Sequence, residues 1–300
     1  MLFADRIISD PEYLRTRLQT CASDRPLIVQ LAANDPTTFA TAAKLIEPFA
    51  DAVDLNLGCP LPAAAAGPFG AWLLDRRHWT LVSAMVSAAA TAVAVPIWCK
   101  IRLLPDISET IELCQLLEAA GCSLVTVHAR PRPADPRACT RDRTTAADLE
   151  AVRAIALGVR IPVLSNGNTQ RHPDVARNLK RTGAAGVACA EGLLRNPRLF
   201  EPAACTAGGQ LGPPELGAVI LEYLQLAAAH PPPDISWVRS HIMWMLGGEG
   251  KRQRCHFRQE CLGPFSSTQL LCAIQAAETI GEFQDLVQAT GLVPAALVAP

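Results

Sequence analysis

The chain has 300 residues, half of them hydrophobic and 18% charged, with a formal net charge of −1 at pH 7. That is enough apolar chain for one large core or two moderate ones. The near-zero balance excludes a molecule-wide basic field, so a nucleic-acid partner needs a local patch, and no charge-free apolar run reaches the roughly eighteen residues of a membrane span.

The opening MLFADRIISD carries acids early and lacks the basic-then-apolar order of a secretory signal. LFADRII reads as a partial strand, and SDPEYLRTRLQTC as a helix. PLIVQLA (26–32) is the first full apolar run. Asp35 and Pro36 then open the helical TTFATAAKLIEPFA, with aspartate as N-cap and proline in the first turn. AVDLNL (52–57) leads through GCPLPAAAAGPFGAWLL to the helical HWTLVSAMVSAAATAV. VPIWCKIRL (95–103) precedes a helix that opens at Ser108 and stops at Gly121 as C-cap. SLVTVHAR (123–130), RIPVLSNG (160–167) and AAGVACAEG (184–192) follow, separated by the helical TAADLEAVRAIALG and HPDVARNLKRTG. These six runs are β-branched and nearly continuous, as expected of strands covered on both faces.

Strand and helix alternating at about thirty residues per unit predict parallel βα units. No GxGxxG follows a strand, which favours a TIM (β/α)8-type barrel over an open dinucleotide-binding sheet. Six full strands plus a partial one predict a barrel lacking its first strand. After Phe200 the character changes: ACTAGGQLGPPELG reads as a linker, followed by ELGAVILEYLQLAAAH, DISWVRSHIMWMLGG, the basic KRQRCHFRQE and TQLLCAIQAAETIGEFQDLV. The predicted division is a barrel domain over 1–204 and a small helical domain over 205–300. The eleven cysteines include no CxxC, so no zinc framework and no metal are expected.

Barrels of this class carry their active sites at the carboxyl ends of the strands. The residues there are Gln30, Asn56 with Cys59, Lys100 with Arg102, His128 with Arg130, Asn166 with Asn168, and Glu191. Glutamine, lysine and histidine inside apolar strands need partners, because burying them unpaired is costly. Each has a plain structural explanation. Gln30 could bond a neighbouring backbone, Lys100 could pair with Asp54, and His128 could be a satisfied core histidine. The asparagines, and Cys59 between Gly58 and Pro60, could be turn residues. A single shared partner at the barrel mouth would satisfy them together. SNGNT and AEGLL follow the last two strands, where barrels bind phosphate through backbone N–H groups and a short helix start. A phosphorylated cofactor is one reading; two ordinary βα turns are the other.

In this order, DLNLGCP (54–60), CKIR (99–102), TVHAR (126–130), SNGN (165–168) and AEG (190–192) resemble the tRNA-dihydrouridine synthases. The match is closest to the eukaryotic branch acting on D-loop positions 16 and 17. Supporting stretches are DRPLIVQLAANDP, LLEAAGCSLVTVHAR and LLRNPRLFEP, and the resemblance spans almost all of residues 1–246. It implies an FMN at the barrel mouth, with Gln30 and Lys100 on the ring and His128 near it. Lys100 suits the N1/O2 edge, where negative charge accumulates on reduction. Asn166, Gly167, Asn168, Ala190, Glu191 and Gly192 are implied as the phosphate site. NADPH is the implied reductant, hydride passes to C6 of a uracil, and Cys59 is the implied general acid protonating C5. Asn56, Arg102 and Arg130 are implied on the substrate side. The helical tail is implied to grip tRNA, with Arg239, His241, Lys251, Arg252 and Arg254 as phosphate contacts or, on the plain reading, a solvated basic face. A monomer without a membrane partner, in the cytoplasm or nucleus, is expected.

The sequence departs from the family pattern in four places. It begins within the family's second strand, without the Pro-Met loop that underlies the flavin, which suggests a truncated product. Ala65 and Ala66 stand where relatives usually carry basic residues, and Glu191 where many carry arginine. The arginine-rich RPRPADPRACTRDRTTAADLE lacks the glutamine, glycine and tryptophan that relatives place there. Three functions therefore remain in view: an active flavin-dependent tRNA-dihydrouridine synthase, a non-catalytic RNA- or protein-binding descendant, and an FMN reductase of a small pyrimidine. Bound flavin separates the first from the second. Equal activity on free uridine and tRNA would favour the third.

Overall fold

The computed structural model describes residues 1–135, 145–201, 211–247 and 257–293. Among the described residues, seven strands form one parallel sheet in chain order: β1 (Leu2–Phe3), β2 (Ile28–Ala32), β3 (Ala52–Leu57), β4 (Ile97–Leu103), β5 (Cys122–Pro131), β6 (Val163–Asn166) and β7 (Gly186–Ala188). Between them run α1 (Ala4–Ser9), α2 (Pro11–Arg17), α3 (Pro36–Ile46), α4 (Pro62–Ala66), α5 (Trp79–Ala92), α6 (Ile107–Ala119), α7 (Leu149–Gly158) and α8 (His172–Thr182). Sequential order with every pair parallel is the TIM-barrel-like α/β arrangement. Among the described residues no pairing joins β7 back to β1.

The strands do not have two apolar faces, contrary to the reading of continuous runs. Val29 and Leu31, Val53, Leu55 and Leu57, Ile97, Cys99, Ile101 and Leu103, and Val125, Val127 and Ala129 all belong to one core. That core also takes Phe39, Ala42 and Ile46 of α3, Val82, Met85 and Val86 of α5, and Leu113 and Leu117 of α6. The intervening residues point to the opposite face, because strand side chains alternate. That face holds Gln30, Asp54, Asn56, Trp98, Lys100, Arg102, Thr126, His128, Arg130 and Asn166. Composition hides the alternation, since tryptophan, threonine and the alkyl stem of lysine sit among aliphatic neighbours.

Local signals set the helix ends. Asp35 caps α3 by accepting from Thr38 N–H, with Pro36 in the first turn. The cap of α6 is Asp106, not Ser108: its carboxylate accepts from Ser108 N–H at 2.8 Å, and an aspartate oxygen outcompetes a serine already inside the first turn. Gly121, at φ +105°, lies just past that helix. LFADRII is strand only at Leu2–Phe3 and turns helical at Ala4.

By its internal contacts the chain divides into two compact units, Met1–Asn168 with Ala176–Ala188, and Thr169–Val175 with Cys189–Pro300 as far as described. The expected boundary at 204 and most of the glycine-rich linker lie outside the described residues. The second unit contains α9 (Glu191–Arg195), α10 (Pro213–Ala229), α11 (Ile235–Met245), α12 (Ser267–Ala276) and α13 (Ile280–Ala289). Leu216, Ile220, Leu224, Val238, Ile242, Leu270, Ile274, Phe283 and Val287 form its core. The last sequence segment, read as one stretch, is two helices. Thr279 opens α13 with a capping box to Glu282, which stops α12 from continuing. No described helix is long and apolar enough to cross a membrane.

Candidate active site

Register brings the polar face together. Gln30 lies opposite Asp54, Asn56 opposite Lys100, Arg102 opposite His128, and His128 opposite Asn166. Side chains in register across parallel strands share a face, so residues spread over 30–166 form one band toward the carboxyl ends of β2 to β6.

A directed hydrogen-bond series runs through that band. The N–H groups of Gly58 and Cys59 donate to Asn56 Oδ1 at 3.1 and 2.9 Å. Asn56 Nδ2 donates to Gln30 Oε1 at 2.7 Å, and Gln30 Nε2 donates to Asp54 Oδ2 at 2.6 Å. The other carboxylate oxygen, Asp54 Oδ1, is buried without a partner among the described residues. Burial pushes the Asp54 carboxyl up to about 6, against the pull of the Gln30 hydrogen bond and the Lys100 charge.

Lys100 is half-buried and has no ion-pair partner among the described residues. The expected direct pair with Asp54 is not formed, because Asp54 registers with Trp98 and Lys100 with Asn56. The two still interact through space. Burial lowers the Lys100 ammonium to about 8, opposed by the Asp54 charge and assisted by Arg102. Cys59 is also within electrostatic reach of Lys100. His128 is driven down to about 3, first by burial and then by the cations Arg102, Lys100 and Arg130. Its Nε2 lies 3.2 Å from Arg130 Nη1. A guanidinium has only donors, so the imidazole accepts there and is neutral.

Cys59 is half-buried and its backbone is held on both sides. Its N–H is bonded to Asn56, and its carbonyl accepts from Ala71 N–H at 3.0 Å. The preceding carbonyl, of Gly58, accepts from Arg102 Nε at 2.8 Å, while Arg102 Nη1 reaches Pro131 O at 3.0 Å. Gly70 presses on the same residue: at φ +63°, a Cβ there would lie 2.7 Å from Cys59 O and 2.9 Å from Cys59 Cβ. The thiol packs beside the cluster of Ala32, Ala64 and Phe69 with Phe3 and Trp72. A cleft of about 280 Å³ opens next to that cluster, lined by Phe3, Asp5, Ala32, Ala33, Asn34, Thr38, Gly67 and Phe69. Gln30, Lys100 and His128 are not in its walls.

At the end of β6, Gly167 and Asn168 both have positive φ, +124° and +58°. A Cβ on Gly167 would lie 2.9 Å from Ala147 Cβ and 3.3 Å from Arg130 Nη1. Asn168 tolerates the left-handed region because its Oδ1 is fixed by Arg130 Nη2 at 3.0 Å and Ala147 N–H at 3.3 Å. Asn166 Nδ2 donates to Ala188 O at 2.8 Å, tying β6 to β7.

The remaining expected residues lie in the second unit. Ala190 precedes α9, and Glu191 and Gly192 are its first two residues. A side chain on Gly192 would meet Leu199, Cys189 and the Thr169 carbonyl. Arg239 donates to the carbonyls of Ile274 and Ala277 at the end of α12, and His241 bonds the Tyr223 hydroxyl at 2.8 Å. Both thus have partners inside the unit. Burial lowers the His241 imidazole and lifts the Tyr223 hydroxyl to about 12. Lys251, Arg252 and Arg254 lie outside the described residues. Within the altered arginine-rich segment, Arg132 stacks 4.0 Å from Trp72 and bonds Asp75 at 3.1 Å; residues 136–144 are outside the description.

Sequence reasoning named Asp54 only as a possible partner of Lys100 and missed Gly70. Asp54 was visible as the first letter of a D-x-N spacing, which puts both side chains on one strand face. Gly70 gave no local signal, because its neighbour is eleven residues away in sequence.

The model of the family Dihydrouridine synthase (Dus) matches residues 1–233. A mouse protein named tRNA-dihydrouridine(16/17) synthase [NAD(P)(+)]-like is 41% identical over 245 residues, 81% of this chain and 48% of its own length. The fission yeast (Schizosaccharomyces pombe) tRNA-dihydrouridine(16/17) synthase [NAD(P)(+)] is 34% identical over 67% of this chain and 50% of its own. A human tRNA-dihydrouridine(20a/20b) synthase [NAD(P)+]-like protein is 33% identical over 67% of this chain and 61% of its own. The chain spans about half the length of the mouse and yeast relatives.

Proposed function

The chain belongs to the dihydrouridine synthase family, and from that premise we propose that it is an FMN-dependent oxidoreductase reducing the C5–C6 double bond of a D-loop uridine in tRNA, at position 16 or 17, with NADPH as reductant. The observation that carries this reading is the band itself: Gln30, Asn56, Lys100 and His128 on one face of neighbouring strands, with Cys59 within electrostatic reach of Lys100. The higher identity to a relative named for positions 16/17 than to one named for 20a/20b supports the choice of uridine.

The residues present fit FMN. Lys100 is a half-buried cation with no described ion-pair partner, suited to an anionic ring edge. Gln30 keeps one amide hydrogen and one lone pair beyond its two bonds. The Gly167–Asn168 turn is a tight backbone corner with no space for a side chain at Gly167, the form phosphate-holding loops take. When bound, the flavin supplies the hydride that reduces C6.

The chain's own residues do the rest. Cys59 holds a proton on Sγ for C5, acting as an acid and so working as thiol rather than thiolate. Asn56 and Arg102 fix the loop that carries it, which keeps the thiol at a set distance from the uracil. Lys100 supplies positive charge, and neutral His128 adds none. The uridine must leave its stack to reach this band, as bases that undergo chemistry generally do. The helical unit, with Arg239 and His241 as proposed contacts, grips the tRNA.

The test is direct. Purified protein should show flavin absorbance and convert tRNA uridine with a mass gain of two hydrogens. Cys59→Ala should keep the flavin and slow turnover by on the order of 10²-fold or more. Protein that is colourless and takes up no added FMN would refute the proposal and leave a non-catalytic role; equal turnover of free uridine would replace tRNA with a small substrate.

A further inference from the structure

The hydrogen-bond series in the first unit has a direction that the assignment of Cys59 and Lys100 does not use. Two backbone N–H groups, of Gly58 and Cys59, can only donate, so they fix Asn56 with its oxygen toward the loop. Asn56 must then present Nδ2 to Gln30, and Gln30 must present Nε2 to whatever ends the series. An ionised carboxylate is the side chain that accepts only. Asp54 therefore decides which way two amides face, and through them how firmly the Cys59 loop is held.

We infer that Asp54 is a positioning residue, whose carboxylate anchors the Gln30–Asn56 amide pair and so holds the loop bearing Cys59. Its link to uridine reduction rests on the function proposed above; its link to loop order does not. Asp54 touches neither the reacting atoms nor Cys59 itself. Buried at 6% exposure, it has one oxygen bonded to Gln30 and one unpartnered. Protonation would place the new hydrogen on the unpartnered oxygen, leaving Gln30 a neutral and weaker acceptor. The loop should then loosen without the sheet losing packing.

The titratable groups within electrostatic reach of Asp54 are Lys100 on its own face, the Met1 ammonium before β1, and Cys99 on the opposite face of β4; Gln30 on β2 bonds it directly. Those facing Lys100 are Asp54, Arg102, Cys59 and, across β5, His128. Asp54 is raised to about 6, Lys100 lies near 8, His128 near 3, and the Cys99 thiol is held well above its ordinary range by its interaction with Cys122 and then by burial. Of these shifted groups, Asp54 alone changes charge near pH 6.

The test is hydrogen exchange at the Gly58 and Cys59 amides of the cofactor-free full chain, corrected for intrinsic rate at each pH. In the wild type, protection should fall about tenfold as pH drops through about 6, the difference between a charged and a neutral acceptor. Asp54→Asn keeps a neutral acceptor in the same shape. It should show the low-pH exchange rate already at about pH 7.5, with no step. Amides of β4 and β5 should be unaffected. With tRNA, Asp54→Asn should lower kcat about tenfold at unchanged KM, the signature of a lost positioning contact. Unchanged exchange in Asp54→Asn, a step that survives the substitution, or loss of protection shared by β4 and β5 would each overturn the inference. If that variant does not fold, the wild-type profile still decides: no step near pH 6 overturns it. Absence of flavin or tRNA reduction in the wild type would instead refute the proposed function and leave the exchange result standing.

Discussion

Gly70→Ala is a one-methyl perturbation aimed at Cys59 without touching it in sequence. The new Cβ would sit 2.7 Å from Cys59 O, 2.9 Å from Cys59 Cβ and 3.1 Å from Cys59 N. Those atoms cannot give way freely. Cys59 N–H is bonded to Asn56 at 2.9 Å, its carbonyl to Ala71 N–H at 3.0 Å, and the preceding carbonyl to Arg102 at 2.8 Å. Alanine at φ +63° costs about 1 kcal/mol in left-handed strain, and overpacking against held backbone adds about 1–3 kcal/mol. The total, about 3 kcal/mol, corresponds to a fall in melting temperature of about 6–12 °C for a domain of this size. Thermal unfolding followed by circular dichroism reads the first effect. The second is kinetic: a displaced thiol should slow tRNA reduction by at least about tenfold, since small misplacements of a reacting group are costly. A variant that melts within about 1 °C of wild type and turns over normally would refute the idea that Gly70 sets the position of Cys59.

Asn56→Ala removes three hydrogen bonds and leaves two backbone N–H groups and Gln30 Oε1 without partners; it should cost about 3–5 kcal/mol in urea unfolding, and a loss below about 1 kcal/mol would show the series to be dispensable. Acid stability follows from two opposed shifts. His128 titrates near 3 in the fold against 6.5 ordinarily, so the unfolded chain takes its proton first and stability is lost as pH falls from 6.5 toward 3. Asp54 titrates near 6 in the fold against 3.8 ordinarily, so the native state takes its proton first and gains stability as pH falls from 6 toward 3.8. The His128 window is wider, so the wild type should weaken on acidification. His128→Gln should hold or gain stability between about pH 6.5 and pH 4.5, measured by urea midpoints. An equally steep loss in that variant would put the acid sensitivity elsewhere.

Much of this was legible in the chain itself. Aspartate before proline at Asp35 specifies a helix start through a short-range hydrogen bond, and the β-branched Val125, Thr126 and Val127 within 122–131 favour a strand by local propensity. The same reading opened α6 at Ser108, whereas the helix starts at Ile107 behind an Asp106 cap; the residues lie within one turn and only geometry separates them. It also took the strands as apolar throughout. Trp98, Lys100 and Arg102 alternate with Ile97, Cys99, Ile101 and Leu103, yet aromatic and alkyl surface masks the period.

Sequence by itself determined the parallel βα order, the apolar stripes that bury β2 to β5 under their helices, and the list of polar residues ending the strands, since each depends on spacings of a few residues. Tertiary structure decided what those residues are to one another. Asp54, Gln30 and Asn56 join into a single directed series, Arg102 and Gly70 close on the Cys59 loop, and Lys100 registers with Asn56 instead of with the Asp54 carboxylate. Register between strands sets those pairings, and register is fixed by packing summed over the whole sheet rather than by any stretch of the chain.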